Sequence, residues 1–248
     1  MPAAIADEAR QEAMSQSLGR AADAVRAGSP TTEGALSDWI RSALKERGVG
    51  VDVDTHVAVG AGAADPHYAP AGAGQTIGEG DVLLVDLWGR TSERGVAADQ
   101  TWMGVLAAEA PPRVAEVWDV VRSARDAVVG WLRDHHEAGH PVRGHEADDV
   151  ARDVIRTAGY GEFFVHRTGH SIDTRLHGSG PNLDNLETRD DRVLLPGVGF
   201  SIEPGIYLPG EFGVRSEINA WWGPDGLQVT PAEPQERLLL LLDGPPTP

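Results

Sequence analysis

Apolar residues at helical spacing mark four segments of the chain. In the second segment Leu36, Ile40 and Leu44 recur every four residues, and the other segments place alanines or valines on one face between Pro or Gly residues. Thr31 or Thr32 can cap that second segment at its N-terminal end. We therefore predict four helices, at residues 4–27, between Thr32 and Gly48, at residues 112–134 and at residues 146–158.

Short apolar runs, continuous or alternating with polar residues, mark the strands. The clearest is the run from Val82 to Val85, which leads directly into Asp86. Turn-like residues at 91–95 and 208–212 divide two pairs of such runs into hairpins. We predict strands at residues 51–54, 57–59, 82–85, 96–105, 199–207, 214–222 and 238–242.

Helices followed by a strand hairpin occur twice along the chain, and no linker-like segment separates the two sets. The 248 residues suffice for one large core, because a chain of this size buries about 75% of its unfolded surface. We therefore expect a single α+β domain over residues 1–248 with two similar halves.

Composition narrows the class of protein. The chain has no cysteine, no N-terminal signal pattern and no apolar run of membrane-spanning length, which together favour a cytoplasmic globular protein. A net charge of −17 disfavours nucleic acid as a partner, because phosphate binding needs clustered Lys and Arg. The acidity either serves solubility or includes carboxylates that are held together for a cation.

Three histidines, His166, His170 and His177, fall within twelve residues. Imidazole is the commonest neutral metal ligand and a common proton carrier near neutral pH. One such histidine could be a packed core residue, but three of them, with acidic pairs on strands before and after, indicate a metal site. The histidines within residues 135–140 instead fit solvated positions after the third helix.

Two acidic pairs lie on the predicted hairpins. If the first hairpin turns between Ser92 and Glu93, Asp86 faces Asp99, and a second hairpin that turns at Gly210 places Glu203 opposite Glu217. Directly opposed like charges are destabilising, and carboxylates among apolar neighbours are costly without a partner. Two divalent cations would resolve both conflicts, whereas acids at exposed strand ends are the simpler alternative.

Four carboxylates and one imidazole form a hard to borderline ligand set. Such a set suits Mn, Co, Fe or Zn rather than a soft metal. Two carboxylate-bridged ions can lower the pKa of a shared water, orient a substrate and neutralise charge on an attacked carbonyl. Trp88 and Trp102 flank the proposed ligands, and we expect them to pack in the core, with a substrate pocket as the alternative.

Six short motifs occur in a fixed order along the chain. They are Pro66-His67-Tyr68, Val85-Asp86-Leu87-Trp88-Gly89, Ala98-Asp99-Gln100-Thr101, Gly169-His170 with His177, Glu203-Pro204-Gly205, and Val214-Arg215-Ser216-Glu217. Together these motifs resemble the pita-bread metallohydrolases, which include methionine aminopeptidase, aminopeptidase P, prolidase and creatinase. The resemblance covers about residues 15–243, and it implies a curved antiparallel sheet with helices on one face and pseudo-two-fold halves.

The resemblance also implies a ligand set for two metal ions. Asp86 would chelate one ion, and Asp99 and Glu217 would bridge both ions. His170 and Glu203 would complete the shell of the other ion. Mn or Co is the first expectation for the two divalent ions, with Zn or Fe as alternatives.

The same resemblance implies the roles of the remaining site residues. Glu203 would also handle the proton of the attacking water, and His177 would stabilise the tetrahedral intermediate. His67 and His166 would line the substrate side, with His166 counted among the catalytic residues as well. Arg215 would support the last glutamate and belong to the substrate-binding residues.

The Glu-Pro-Gly and Arg-x-Glu motifs, with a histidine four residues before the metal histidine, resemble the aminopeptidase P and prolidase branch. This branch implies hydrolysis of a peptide bond adjacent to proline in a small peptide, through a metal-bridging hydroxide, and it allows a homodimer. A methionine aminopeptidase, a hydrolase of another small amide and a catalytically silent binding module are the alternatives. Loss of metal ligands would mark the silent module, and all five ligands are present.

Two of the sequence's departures from the family pattern concern the first hairpin and the start of the chain. Asp86 and Asp99 lie further apart than in close relatives, so we expect a longer first hairpin loop. The chain also begins about where the catalytic domain of the family begins. We therefore expect it to lack the N-terminal domain that many proline-specific relatives use for dimerisation and for shaping the substrate entrance.

Overall fold

The computed structural model of the chain describes residues 2–51, 55–223 and 225–244, with side chains from residue 9 onward. Residues 52–54, which carry most of the first predicted strand, lie outside this range. Among the described helices none combines the length and the hydropathy that a membrane crossing requires.

The four predicted helices are confirmed within the described part of the chain. Thr32 caps the second helix, because its Oγ1 accepts a hydrogen bond from the Ala35 amide over 3.3 Å. The third helix runs slightly further than predicted and buries its valines. The helices are α1 (Pro2–Arg26), α2 (Glu33–Glu46), α3 (Pro112–Glu137) and α4 (Gly144–Thr157).

The described strands form two four-stranded sheets and a two-stranded ribbon. Their order is β1-β2-β3-β10 in the first sheet and β4-β5-β8-β9 in the second, with β6 and β7 as the ribbon. All pairings are antiparallel except that of β10 with β3. The strands are β1 (His56–Val59), β2 (Val82–Gly89), β3 (Ala98–Val105), β4 (Ser171–Ile172), β5 (Gly199–Ile202), β6 (Gly205–Leu208), β7 (Phe212–Arg215), β8 (Ile218–Gly223), β9 (Gly226–Thr230) and β10 (Leu239–Leu240).

The two halves repeat one arrangement, as the sequence predicts. In each half two helices precede a sheet whose central strands are the arms of one hairpin. One buried cluster joins α1 and α2 to one face of β2 through Leu83, Val85 and Leu87. A second cluster joins α3 and α4 to the strands of the second half and to Leu84 on the opposite face of β2. The fold is therefore α+β, and the hairpin of one half packs against the hairpin of the other half.

The predicted register of the first hairpin is wrong by two residues. Asp99 pairs with Trp88, and Asp86 pairs with Thr101. The reason is the turn, in which the Gly95 amide donates to the Ser92 carbonyl oxygen over 2.9 Å, so that the loop is centred later than expected. A shift of two residues preserves the face of the sheet, so Asp86 and Asp99 still point to the same side.

The predicted register of the second hairpin is confirmed. Ile202 pairs with Ile218 and Gly205 pairs with Arg215, so Glu203 and Glu217 occupy facing positions between these pairs. Gly210 forms the tip with a φ of 77°, a conformation that favours glycine.

The two long strands predicted for the second hairpin are each broken in the middle. One break follows Ile202 and the other follows Arg215. At the breaks the amides of Glu203 and Glu217 donate to the carbonyl oxygens of Thr168 and Thr101, over 2.7 and 3.4 Å. The interruption thus ties both glutamates to neighbouring segments rather than to each other.

Candidate metal centre

All five predicted metal ligands lie where strands of the two halves meet. Asp86 and Asp99 stand on one face of β2 and β3, and Glu203 and Glu217 occupy the breaks of the second hairpin. His170 immediately precedes β4, where its amide donates to the Ser201 hydroxyl over 2.9 Å. Gly169 permits this close approach, because a Cβ atom there would overlap the Ser201 carbonyl oxygen.

The ligand atoms converge on one point. Asp99, His170 and Glu217 each offer an atom within 4.8 Å of the other two. His170 Nε2 lies 3.4 Å from Asp99 Oδ2 and 3.4 Å from Glu203 Oε1. The two separations of 3.4 Å suit ligands of one ion, because metal–ligand bonds of about 2.0–2.2 Å keep two ligands within about 4.4 Å of each other.

The tautomer of His170 makes this arrangement dependent on a positive charge. Nδ1 lies 3.1 Å from the Ser171 carbonyl oxygen, which can only accept, so Nδ1 carries the proton of the neutral ring. Nε2 then directs a lone pair at two carboxylates. A metal ion or a second proton is needed there, and a histidine whose other nitrogen is fixed by a carbonyl is typical of metal ligands.

Asp86 and Glu217 are connected through Arg215 and Thr101. The Arg215 guanidinium donates to Asp86 Oδ2 and to Thr101 Oγ1, the latter over 2.9 Å. Thr101 Oγ1 in turn donates to Glu217 Oε2 over 2.8 Å. One oxygen of each carboxylate is therefore held in place by the protein.

The second carboxylate oxygens of Asp86 and Glu217, and one oxygen of Asp99, have no such hydrogen-bond partner in the part of the chain that the structure describes. Asp86 Oδ1, Asp99 Oδ1 and Glu217 Oε1 are buried and lack a hydrogen-bond partner among the described residues. Buried polar atoms in native proteins are nearly always paired, and unpaired buried carboxylates are costly. Three unsatisfied oxygens beside the lone pair of His170 therefore fit divalent cations.

The electrostatics of the carboxylates lead to the same conclusion. Burial raises the pKa of Asp86 well above its usual value despite Arg215, and burial with the nearby charges of Asp99 and Glu203 raises the pKa of Glu217 in the same way. Burial also pushes the pKa of Asp99 upward, but the hydrogen bond and charge of His170 bring it below its usual value. Without a cation the cluster would therefore retain protons, whereas a cation favours its ionised form.

His166 is buried next to this cluster as a neutral imidazole. Its Nδ1 donates to the Arg167 carbonyl oxygen over 2.7 Å, and its Nε2 accepts from the Tyr207 hydroxyl over 2.7 Å. Burial lowers the pKa of His166 to about 4 and raises the pKa of Tyr207 to about 12. Tyr207 also accepts from Arg215 over 3.3 Å, so it links His166 to the arginine behind Asp86.

The other predicted site residues face an open cavity of about 290 Å³. The His177 ring stands perpendicular to that of His170, with centroids 4.4 Å apart, and burial lowers the pKa of His177. His67 is exposed and lines the same cavity. Eight of the nine predicted site residues line this cavity. The ninth, Glu217, is connected to them through its hydrogen bond with Thr101.

Several residues of the site were not assigned from the sequence. Thr101 had a usable signal, because it follows Asp99 by two residues and therefore shares its face of β3. The sequence carries no comparable signal for Tyr207 and His56, since their positions in the site depend on contacts between strands that are distant in sequence. The prediction that Trp88 packs in the core is wrong, because Trp88 pairs with Asp99 and lines the cavity. Trp102 does pack against the core beneath α1 and α2.

This fold and this site define an α+β protein of the pita-bread class whose carboxylates and histidine are arranged to bind divalent metal ions. Residues 3–220 match the metallopeptidase family M24, and the chain belongs to that family. Membership implies divalent metal ions, in agreement with the ligand cluster.

Relatives in this family are named as peptidases. The chain is 37% identical over 189 residues to the Xaa-Pro dipeptidase of Lactobacillus delbrueckii subsp. lactis, an alignment that covers 75% of this chain and 47% of that protein. It is also 37% identical over 163 residues to the probable dipeptidase PepE of Mycobacterium tuberculosis, covering 65% of this chain and 40% of the relative. The chain thus spans about half the length of these relatives or less.

Solved structures have the same fold. The X-Pro aminopeptidase of Thermotoga maritima superposes with a TM-score of 0.80 at 28% identity, over 95% of this chain and 61% of that one. The dipeptidase PepE of Mycobacterium ulcerans also superposes with a TM-score of 0.80, at 29% identity, over 96% of this chain and 58% of the other. The predicted pita-bread fold is confirmed.

Proposed function

We propose that the chain is a single catalytic domain that uses two divalent metal ions to hydrolyse a peptide bond adjacent to proline. The observation that carries this proposal is the convergence of four carboxylates and His170 beside an open cavity, with three buried oxygens that lack partners. The names of the relatives, Xaa-Pro dipeptidase and X-Pro aminopeptidase, favour proline specificity over methionine aminopeptidase.

In this proposal Asp86 would help to hold one ion, His170 and Glu203 would help to hold the other, and Asp99 and Glu217 would contribute to both. Mn or Co comes first for this oxygen-rich ligand set, with Zn or Fe as alternatives. When bound, the ions would lower the pKa of a water and polarise the carbonyl of the substrate.

Glu203 is the proposed proton carrier. It is less buried than the other three acids and lines the cavity, where a water and a substrate can reach it. The Ser201 hydroxyl donates to Glu203 Oε1 over 2.9 Å and so fixes the carboxylate against β5. A fixed carboxylate beside the cavity can take a proton from the attacking water and return it to the leaving amine.

The histidines divide between two roles. His177 is exposed, lines the cavity and is the proposed donor to the oxygen of the tetrahedral intermediate. Both ring nitrogens of His166 already have partners, so we assign its predicted catalytic role to holding the Tyr207 hydroxyl in place. His67 remains a proposed substrate contact because it is exposed and lines the same cavity as the proposed ligands.

Arg215 is proposed to position metal ligands rather than to bind substrate. It is buried, and its donors go to Asp86, Thr101 and Tyr207. Arg215 therefore supports Asp86 directly and Glu217 through Thr101. The homodimer and the cytoplasmic location stay predictions.

The test combines metal content with hydrolysis. The purified protein should bind about two equivalents of Mn²⁺ or Co²⁺ and cleave Xaa-Pro peptides but not Met-Ala peptides. Glu203→Gln should lower kcat by about 10²-fold or more, because the substitution removes both a proposed metal ligand and the proposed proton carrier.

Glu211→Gln is the matched control, since Glu211 is exposed at the hairpin tip and pairs only with Arg113 among the described residues. It should leave activity unchanged. Cleavage that survives Glu203→Gln, or a protein that binds no divalent metal, would contradict the proposed function. Metal binding with cleavage of Met-Ala alone would favour a methionine aminopeptidase.

A further inference from the structure

One edge of β3 is paired by side chains instead of by a strand. β2 occupies the other edge along its whole length, whereas β10 pairs with β3 only at its last two residues. For residues 98–103 the described part of the chain contains no strand partner on this edge. Buried main-chain N–H and C=O groups require hydrogen-bond partners, so other groups have to supply them here.

Asn219 supplies these partners at Asp99. The Asp99 amide donates to Asn219 Oδ1 over 2.9 Å, and Asn219 Nδ2 donates to the Asp99 carbonyl oxygen over 2.5 Å. A side-chain amide that both accepts from and donates to one residue reproduces the exchange of hydrogen bonds between antiparallel strands. Two hydrogen bonds thereby fix the main chain of a proposed metal ligand.

Gln235 makes the same pair of contacts further along the edge. Its Oε1 accepts from the Met103 amide over 2.8 Å, and its Nε2 donates to the Met103 carbonyl oxygen over 2.7 Å. Met103 follows Asp99 by four residues, which is about 13 Å along the strand. Gln235 therefore offers a comparison with the same chemistry on the same edge, but away from the metal centre.

Asn219 and Thr101 occupy equivalent positions in the two halves. Thr101 follows Asp99 by two residues and donates to Glu217. Asn219 follows Glu217 by two residues and contacts Asp99. Each of the two acids that are proposed to contribute to both ions is thus held by the residue two positions after the other acid. The separation of these two acids depends on both contacts.

The position of Asn219 is itself fixed by the second sheet. Asn219 is buried on β8, where it pairs with Ser201 of β5 on one side and with Thr230 of β9 on the other. Directly paired residues project from the same face of a sheet, and from this face the Ser201 hydroxyl contacts His170 and Glu203. One cross-strand pair therefore contacts three of the proposed ligands.

We propose that Asn219 is a positioning residue that sets the separation of Asp99 and Glu217 and thereby the affinity of the centre for divalent ions. This inference rests on the proposed function and deepens it, because it assigns the alignment of the two shared acids to a residue that binds neither ion. Without the amide, the main chain of Asp99 loses both hydrogen bonds to the half of the molecule that carries Glu217.

The test compares Asn219→Leu with Gln235→Met, because each replaces a side-chain amide by an apolar side chain of similar size. Both variants should lower the urea midpoint of the chelated protein, since each leaves a buried N–H and a buried C=O unpaired. Only Asn219→Leu should weaken Mn²⁺ binding, by about tenfold or more, in a calorimetric titration of the metal-free protein. A general loosening of β3 would affect both variants alike.

Wild-type Mn²⁺ affinity in Asn219→Leu, or an equal loss in both variants, would overturn the proposal. If Asn219→Leu does not fold, Asn219→Ser takes its place, because serine is too short to satisfy both main-chain groups of Asp99. Weaker Mn²⁺ binding by this variant would support the proposal, and wild-type affinity would overturn it.

The titration contains no substrate, so its result is independent of hydrolysis. A protein that binds Mn²⁺ but cleaves no Xaa-Pro peptide would contradict the proposed function and leave the result for Asn219 intact. A wild-type protein that binds no divalent metal would overturn both.

Discussion

Thr101 Oγ1 donates to Glu217 Oε2 over 2.8 Å, across the boundary between the two halves of the molecule. The same hydroxyl oxygen accepts from Arg215, which also holds Asp86. A single hydroxyl on β3 thus orients a carboxylate from the second half and an arginine that reaches back to the first half. The two hairpins that carry the proposed metal ligands are aligned by this contact as well as by their own strand pairing.

Thr101→Val should weaken metal binding while the fold is retained, because valine matches the shape of threonine but can neither donate to Glu217 nor accept from Arg215. Partners of metal ligands typically contribute about 10–100-fold in affinity. We expect a loss of that size in Mn²⁺ affinity, measured by calorimetric titration. Thr101→Ser, which retains the hydroxyl, should restore most of it, and equal affinities of the Val and Ser variants would refute this role.

Local patterns in the sequence predict much of this architecture. The four helices follow from apolar spacing and from caps such as Thr32, because both signals lie within the segment itself. The facing positions of Glu203 and Glu217 follow from a turn centred on Gly210. The candidate metal ligands could be proposed for the same reason, since carboxylates among apolar strand residues form a conflict that is visible locally.

The remaining features depend on contacts between segments that are distant in sequence. The first hairpin register was missed because its long loop allows more than one turn position, and the structure selects the turn at Ser92–Gly95. Trp88 lies two residues after Asp86 on the same face of β2, but its apolar neighbours favoured core packing over the alternative of a pocket. The hydrogen bonds of Tyr207 join strands whose proximity no spacing rule specifies.

Asp148 should be among the most important residues for stability outside the metal centre. It is fully buried on α4, accepts from the amides of Thr168 and Asn185 over 2.8 Å each, and pairs with Arg152. Asp148→Ala would leave the arginine and both amides without this partner. We expect a loss of about 3–5 kcal/mol in the free energy of unfolding, measured with urea.

Asp153→Ala serves as the comparison for Asp148→Ala. Asp153 lies on the same helix and pairs with Arg156, but both side chains are largely exposed. Its removal should change stability by no more than about 0.5 kcal/mol. Similar losses in the two variants would mean that the buried network does not hold the segment before His170.

Stability at acidic pH should depend on His166. Burial lowers its pKa from 6.5 to about 4, so between these values the unfolded chain binds a proton that the folded chain does not. The contribution is therefore complete above pH 6.5 and is lost as the pH falls toward 4, by about 3 kcal/mol at most.

His166→Gln should flatten this part of the pH dependence. The measurement is the urea midpoint across the window from pH 7 down to about 4 in the presence of a chelator, so that loss of metal does not contribute. His140→Gln is the control for the same substitution at an exposed position. An identical slope for wild type and His166→Gln would show that His166 is not the group that titrates.

Metal addition should stabilise the chelated protein strongly. Asp86 Oδ1, Asp99 Oδ1 and Glu217 Oε1 gain partners only when a cation is present, so the ion binds the folded state far better than the unfolded chain. A hundredfold excess of Mn²⁺ over its dissociation constant contributes about 2.7 kcal/mol, which for a chain of this size raises Tm by about 5–10 °C. Asp99→Asn should lose most of the increase, whereas Glu211→Gln should retain it. An increase that persists in Asp99→Asn would place the bound metal elsewhere on this acidic chain and would contradict the assignment of the centre.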